Sequence, residues 1–275
     1  VPIGVFDSGL GGLTVLHTLQ RRFPGQAFTY LGDHAHAPYG VRPAQQIVDL
    51  SMAGVGTLFH AGCELVVMAC NTASAVALRS MQEYWVPPDR RVLGVLVPMI
   101  EAIAGRPWAD KGAPTPVGPL GVHFYATPAT VQSGAFGREL SLRASGITLV
   151  ETPCPGLVDA LEAGESAAAR ALVHDCTGVA LARMPAPDAV VLGCTHYPLA
   201  RDAFVAALPK GTRLLDQGRT VAEALSAYLS RHPRFAEPGG TTYLTTGDSG
   251  AVSAAARKLT GRDHAFRSVE LRLFP

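Results

Sequence analysis

Short apolar runs alternate with segments of helical spacing along most of the chain. Residues 3–6 form an apolar run closed by a glycine-rich turn, and 13–22 repeat apolar positions at helical intervals. Residues 28–31 are the next run, ended by Gly32-Asp33. A helix is predicted over 44–61, with Ile47, Leu50, Val55 and Leu58 among its apolar positions. Residues 65–69 read as a third strand, 74–84 as a helix and 92–97 as a fourth strand. Near-continuous apolar strands between helices predict a parallel sheet covered on both faces.

Residues 98–119 hold five prolines and three glycines, a break that marks a passage between domains. The rhythm then restarts, with strands at 120–125, 147–151 and 189–192 and helices at 129–143 and 167–183. Pro209-Lys210-Gly211-Thr212 marks a second passage. After it come a strand at 213–215, a helix at 220–230, a strand at 242–245 and a short helix from Ser249. Two echoes link the halves. Ile3-Gly4-Val5 matches Leu120-Gly121-Val122, and Val66-Val67-Met68-Ala69-Cys70-Asn71-Thr72 matches Val190-Val191-Leu192-Gly193-Cys194-Thr195-His196. The expected fold class is therefore α/β, with two pseudo-symmetric, doubly wound domains. Their mainly parallel sheets would leave an active-site cleft at the strands' carboxyl ends.

At 275 residues the chain is long enough for one large or two medium domains. Lys and Arg number 23 against 22 Asp and Glu, so the basic excess of a phosphate-backbone binder is missing and no nucleic-acid partner is expected. A hydrophobic share of 48% with 16% charged residues supports a sizeable core. No run approaches the roughly 18 apolar residues of a membrane helix. Residues 1–12 read as a strand rather than a basic leader. Five cysteines without close pairing fit neither a disulfide framework nor a four-cysteine zinc site. The expectation is a soluble protein of the reducing cytoplasm, with no membrane partner. Of the three lysines, Lys111, Lys210 and Lys258, none stands where a pyridoxal Schiff base requires one.

Cys70 and Cys194 share one context: an apolar strand, a small residue, the cysteine, then residues suited to starting a helix. A thiol at a helix N-terminus faces unpaired N–H groups and the positive end of the dipole, which favour the thiolate. The same donors, with Asn71, Thr72 and Thr195, suit a carboxylate. Cys63, Cys154 and Cys176 read as small buried core residues. Asp7 ends the first strand, as a helix cap or as a proton partner or amine anchor in the cleft, and His196 could serve the equivalent role in the other half. The turn Gly9-Leu10-Gly11-Gly12 lacks the third glycine of a dinucleotide fingerprint, where Thr14 stands, although Asp33 sits about where a ribose-binding acid would. His34 and His36 lack a third ligand at suitable spacing, so no metal site is expected. Pro38-Tyr39-Gly40 is a turn whose N–H groups and Tyr39 hydroxyl could close over a polar ligand. Two cysteines opposed across a cleft, with carboxylate donors and no electron sink, suit removal of a carbon-bound proton on one face and its return on the other.

Five blocks together resemble the glutamate racemase family within the aspartate/glutamate racemase superfamily. They are Phe6-Asp7-Ser8-Gly9-Leu10-Gly11-Gly12-Leu13-Thr14-Val15, Tyr30-Leu31-Gly32-Asp33, Pro38-Tyr39-Gly40, Ala69-Cys70-Asn71-Thr72-Ala73-Ser74 and Leu192-Gly193-Cys194-Thr195-His196-Tyr197-Pro198. Tyr243-Leu244-Thr245-Thr246-Gly247-Asp248 extends the resemblance to the tail. It implies cofactor-independent interconversion of L- and D-glutamate, supplying D-glutamate for peptidoglycan. It also implies that the tail returns to the first domain, giving 1–97 plus 210–275 and 98–209 as the two domains. By the same resemblance Cys70 and Cys194 are the catalytic pair, assisted by Asp7 and His196. Asp7, Ser8, Tyr39, Gly40, Asn71, Thr72, Thr195 and His196 would contact substrate, while Thr127, Thr130 and Glu162 match family positions of undefined role. Expected partners are glutamate and a second copy of the chain in a homodimer. Asn71-Thr72 and Thr195-His196-Tyr197-Pro198 favour glutamate over the aspartate or hydantoin of related enzymes. Phe136, His34 and Val97 depart from the family pattern.

Overall fold

The computed structural model describes residues 1–106 and 112–274. Lys111 and its four predecessors in the proline-rich passage lie outside the described residues. The strands are β1 Ile3–Asp7, β2 Phe28–Gly32, β3 Leu65–Met68, β4 Arg91–Gly94, β5 Thr115–Ala126, β6 Ala144–Pro153, β7 Ala189–Gly193, β8 Arg213–Asp216, β9 Thr241–Thr245 and β10 Phe266–Ser268. Within residues 1–106 the helices are α1 Gly12–Arg22, α2 Ala44–His60, α3 Asn71–Val76, α4 Leu78–Tyr84 and α5 Leu96–Ala104. After them come α6 Pro128–Ser133, α7 Ala135–Ser141, α8 Leu157–Ala163, α9 Ser166–Arg183, α10 Arg201–Ala207, α11 Gln217–Arg231 and α12 Ser249–Thr260.

The strands form two parallel sheets, of order β10-β9-β2-β1-β3-β4 and β6-β5-β7-β8. Every residue of β1, β2, β3 and β7 is buried. Helices on both faces leave these strands no solvated side, and that is why they read as unbroken apolar runs. Leu13, Leu16 and Leu19 of α1 pack with Val221 and Leu225 of α11 on one face of the larger sheet, and Ile47, Val55 and Leu58 of α2 cover the other with Phe6 and Met68. Each such side chain taken fully out of water stabilises the fold by roughly 1.5–3 kcal/mol before its ordering cost is counted.

Several boundaries differ from the sequence expectation. The run at 92–97 is a strand only to Gly94; Leu96 then opens α5, with Pro98 in its first turn. A proline is tolerated there because the first-turn N–H groups have no intrahelical partner. The stretch 129–143 splits at Gly134, whose φ of 59° belongs to the left-handed region. β8 pairs with β7 in the register Ala189↔Arg213 to Leu192↔Asp216, so by sheet membership the chain returns after Asp216 rather than at residue 210. Pro209-Lys210-Gly211-Thr212 is a turn between α10 and β8 within the smaller sheet's half, built on Gly211 at φ 90°. Cys154 and Cys176 are also not simple core thiols. They form a disulfide between the end of β6 and α9, with Cα atoms 5.6 Å apart. No helix among the described residues is long and apolar enough to cross a membrane.

Candidate active site

The carboxyl ends of β1, β3, β5 and β7 meet where the two sheets face each other. They deliver Ser8, Cys70, Thr127 and Cys194 to one small cavity of about 20 Å³. Its walls also include Gly9, Tyr39, Gly40, Asn71, Thr72, Val158, Glu162, Thr195 and His196.

Cys70 caps α3. Its Sγ accepts from the Ala73 N–H at 3.4 Å, and its thiol lies 3.5 Å from Ser8 Oγ. The sequence reading expects this helix start to favour the thiolate. Burial and the neighbouring Asp7 charge outweigh the Ser8 and Ala73 hydrogen bonds, and the Cys70 thiol is pushed up to about 12. Asp7 lies fully buried behind Gly9, whose N–H donates to its Oδ2 at 2.9 Å, and Thr195 Oγ1 donates to Oδ1 at 3.4 Å. Burial raises the Asp7 carboxyl to about 6, although His196 and the Gly9 and Gly12 N–H groups oppose it.

Cys194 is placed differently. It starts no helix; Cys194-Thr195-His196 is a tight turn that leads into a 3₁₀ turn at Tyr197–Ala200. Its sulfur lies 4.0 Å from His196 Nδ1, and His196 Nε2 donates to Glu162 Oε1 of α8 at 2.7 Å. Burial alone would lower the His196 imidazole. Its hydrogen bonds to Cys194 and Glu162, and their charges, prevail and raise it to about 10. Burial likewise disfavours the Glu162 carboxylate, but the bond and charge of His196 hold it below the usual range. His196 is thus an imidazolium at neutral pH, with its positive charge facing the Cys194 sulfur.

The glycine-rich turn has a steric explanation. A methyl group on Gly11 would collide with Thr195 and the His196 ring, and one on Gly12 would come 2.8 Å from Asp7 Cγ and 3.0 Å from Tyr30 Oη. The turn is packed against the opposite half, which leaves no room for a phosphate. Thr14 reaches the Thr195 carbonyl at 3.0 Å across the cleft. Asp33 is no ribose ligand here, for it accepts from the Tyr39 hydroxyl (2.6 Å), Thr246 Oγ1 (2.7 Å) and His36 Nδ1 (2.8 Å). The Tyr39 hydroxyl is therefore engaged by Asp33, while Pro38, Tyr39 and Gly40 all line the cavity.

A triangle of hydroxyls joins the halves: Thr72 to Thr127 at 2.9 Å, Thr72 to Thr130 at 3.1 Å and Thr127 to Thr130 at 2.9 Å. Asn71 is buried, and both ends of its side-chain amide lack a partner. Such a group is costly unless something occupies the cavity to meet it. Among the described residues, no three His, Cys, Asp or Glu side chains are arranged to hold a metal ion.

No family model matches the chain. It is 52% identical over 260 residues to the glutamate racemase of Roseobacter denitrificans, a match covering 94% of this chain and 97% of that protein. The chain belongs to the glutamate racemase family. Two solved glutamate racemases share its fold over 98% of this chain and 97% of theirs. An isoform from Bacillus anthracis has a TM-score of 0.84 at 27% identity. The Thermus thermophilus enzyme, in complex with beta-chloro-D-alanine, has a TM-score of 0.79 at 34% identity.

On this racemase fold the cavity gathers nearly every residue singled out in the sequence. Ser8, Tyr39, Gly40, Cys70, Asn71, Thr72, Cys194, Thr195 and His196 line it, while Asp7 and Thr130 stand one layer behind. Val158 was missed. It lies one helical turn before Glu162 on the short α8, and that i, i+4 spacing beside an acid was the available signal.

Proposed function

We propose that the chain interconverts L- and D-glutamate by a two-base mechanism in which Cys70 and Cys194 act from opposite faces of the substrate. The observation that supports it best is that both cysteines, from the ends of strands in different sheets, line one small cavity. In this scheme Cys194, beside the His196 imidazole, serves as the base and Cys70, whose thiol is pushed up to about 12, as the acid. The Cys194 thiolate takes the α-proton while the Cys70 thiol gives its proton to the other face of the same carbon. The products are the mirror-image amino acid, a Cys194 thiol and a Cys70 thiolate, and the opposite enantiomer is processed by the reverse transfer. An amino-acid α-carbon is far less acidic than a thiol, so the growing carbanion needs aimed donors; the unpartnered Asn71 amide and the Ser8 and Thr72 hydroxyls supply them.

The cavity has room for about one water, and substrate entry therefore requires the two halves to part. The proposed setting is a cytoplasmic homodimer that supplies D-glutamate for peptidoglycan. Circular dichroism tests the reaction: freshly reduced protein with no added cofactor should drive L- and D-glutamate to the same racemate. A signal that stays constant with both enantiomers would sink the proposal.

A further inference from the structure

Thr14 stands where a dinucleotide fingerprint has its third glycine, in the first turn of α1, and the proton transfers make no use of it. Its hydroxyl has a single hydrogen and reaches two carbonyls. Gly11, at its own helix start, lies at 2.8 Å, and Thr195, in the opposite half, at 3.0 Å. The Gly11 carbonyl already accepts the Thr14 backbone N–H at 3.0 Å.

The Thr195 carbonyl is placed differently. Around it the chain turns with i to i+3 bonds: Tyr197 N–H donates to the Cys194 carbonyl at 3.2 Å, and Leu199 N–H to the His196 carbonyl at 2.9 Å. The residue in line to serve the Thr195 carbonyl is Pro198, which has no N–H. Thr195 is buried, and a buried carbonyl without a donor is costly. The Thr14 hydroxyl meets it from across the cleft.

That carbonyl and the His196 N–H belong to one planar peptide unit. The bond from Thr14 therefore fixes the plane from which the His196 side chain projects, with Nδ1 4.0 Å from the Cys194 sulfur. Neighbouring contacts close the same seat. A methyl group on Gly11 would meet Thr195 and the His196 ring, and Thr195 Oγ1 donates to Asp7 Oδ1 at 3.4 Å. The platform is rigid, because Leu13, Leu16 and Leu19 anchor α1 in the core. Cys70 is held by other groups, Ser8 and the Ala73 N–H.

We propose that Thr14 is a positioning residue for the Cys194 station. By giving its hydroxyl hydrogen to the Thr195 carbonyl, it seats the Cys194–His196 turn of one half on α1 of the other and sets His196 against the Cys194 sulfur.

Two substitutions separate the hydrogen from the methyl group. Thr14→Val keeps the branched shape and loses the hydrogen, whereas Thr14→Ser keeps the hydrogen and loses the methyl. In circular dichroism assays from both enantiomers, Thr14→Val should lower kcat about tenfold with KM changed less than about twofold. Thr14→Ser should stay within about twofold of the parent. A packing role reverses that order, so a serine variant that falls as far as the valine variant overturns the assignment, as does normal kcat in Thr14→Val. Nitrogen-15 histidine NMR reads the turn itself. The His196 titration should move to lower pH by about half a unit or more in Thr14→Val and stay in place in Thr14→Ser. An unmoved His196 in Thr14→Val means that the hydroxyl serves only its own helix start, and also overturns the assignment. Cys70 alkylation by iodoacetamide should be unchanged in both variants, and a change matching that at Cys194 marks a global defect and counts against it equally. If Thr14→Val does not fold, Thr14→Ala carries the same measurements. The inference rests on the two-base reading, and the two fail separately. Unaltered protein that leaves glutamate unchanged sinks that reading, whereas a fully active Thr14→Val removes only the role of Thr14.

Discussion

Cys70 and Cys194 end nearly identical sequence echoes, yet they sit in opposite electrostatic settings. Cys70 caps a helix, is buried beside the Asp7 carboxyl, and holds its proton up to about 12. Cys194 lies in a tight turn beside His196, an imidazole raised to about 10 and backed by Glu162. By itself a helix N-terminus is the more activating place. Here its six-residue helix is overruled by desolvation and by a neighbouring carboxylate. The proposed two-base reaction needs one sulfur protonated and the other not at the same moment, and the two cysteines stand beside unlike partners.

The contrast breaks most completely at the sulfurs. Cys70→Ser and Cys194→Ser should each lower racemisation by about 10³-fold or more, because a hydroxyl is a far weaker acid than a thiol at either station. Near-normal turnover by either variant, followed by circular dichroism, would refute the scheme. Gly11→Ala should distort only the Cys194 side, since the added methyl meets Thr195 and the His196 ring. A loss of about 10²-fold in kcat is expected, with Cys70 alkylation by iodoacetamide little changed. Glu162→Gln, which keeps the shape but removes the charge, should cost about tenfold in kcat/KM and move the His196 titration, followed by NMR, to lower pH.

The smallest expected effect concerns stability and the Cys70 side. Asp7 is raised from 3.8 to about 6, so the folded protein binds its proton more tightly than the unfolded chain does. That contribution is full below about pH 4 and is lost as pH rises through about 6. Asp7→Asn removes the buried charge. In urea unfolding it should exceed the parent stability by about 2–3 kcal/mol near pH 7.5, with the gap closing near pH 4. A gap of the same size at both pH values would contradict the assignment.

The sheet centres were legible in the sequence because a strand buried on both faces leaves a run such as Val66-Val67-Met68 or Val190-Val191-Leu192. β8 was assigned to the wrong sheet because it is a four-residue edge strand whose first residue is exposed and whose others are only partly buried. Nothing in its pattern names its neighbour. Cys70 and Cys194 could be read from their shared strand ends, whereas their unlike environments could not, since Asp7, Glu162 and His196 act through packing between halves. The place of Asp33 could not be read for the same reason: its partner Thr246 lies 213 residues away. The Cys154–Cys176 bridge spans 22 residues between a strand end and a helix, a spacing with no signature of its own.

The tightness of the closed cleft bears on the isotopic fate of the transferred hydrogen. In the two-base scheme proposed above, a cleft with room for about one water keeps an atom taken from carbon on its sulfur until the halves separate, and exchange with the medium belongs to the open state. In heavy water, the deuterium content of unreacted substrate therefore reports how often the enzyme reopens before completing a turnover.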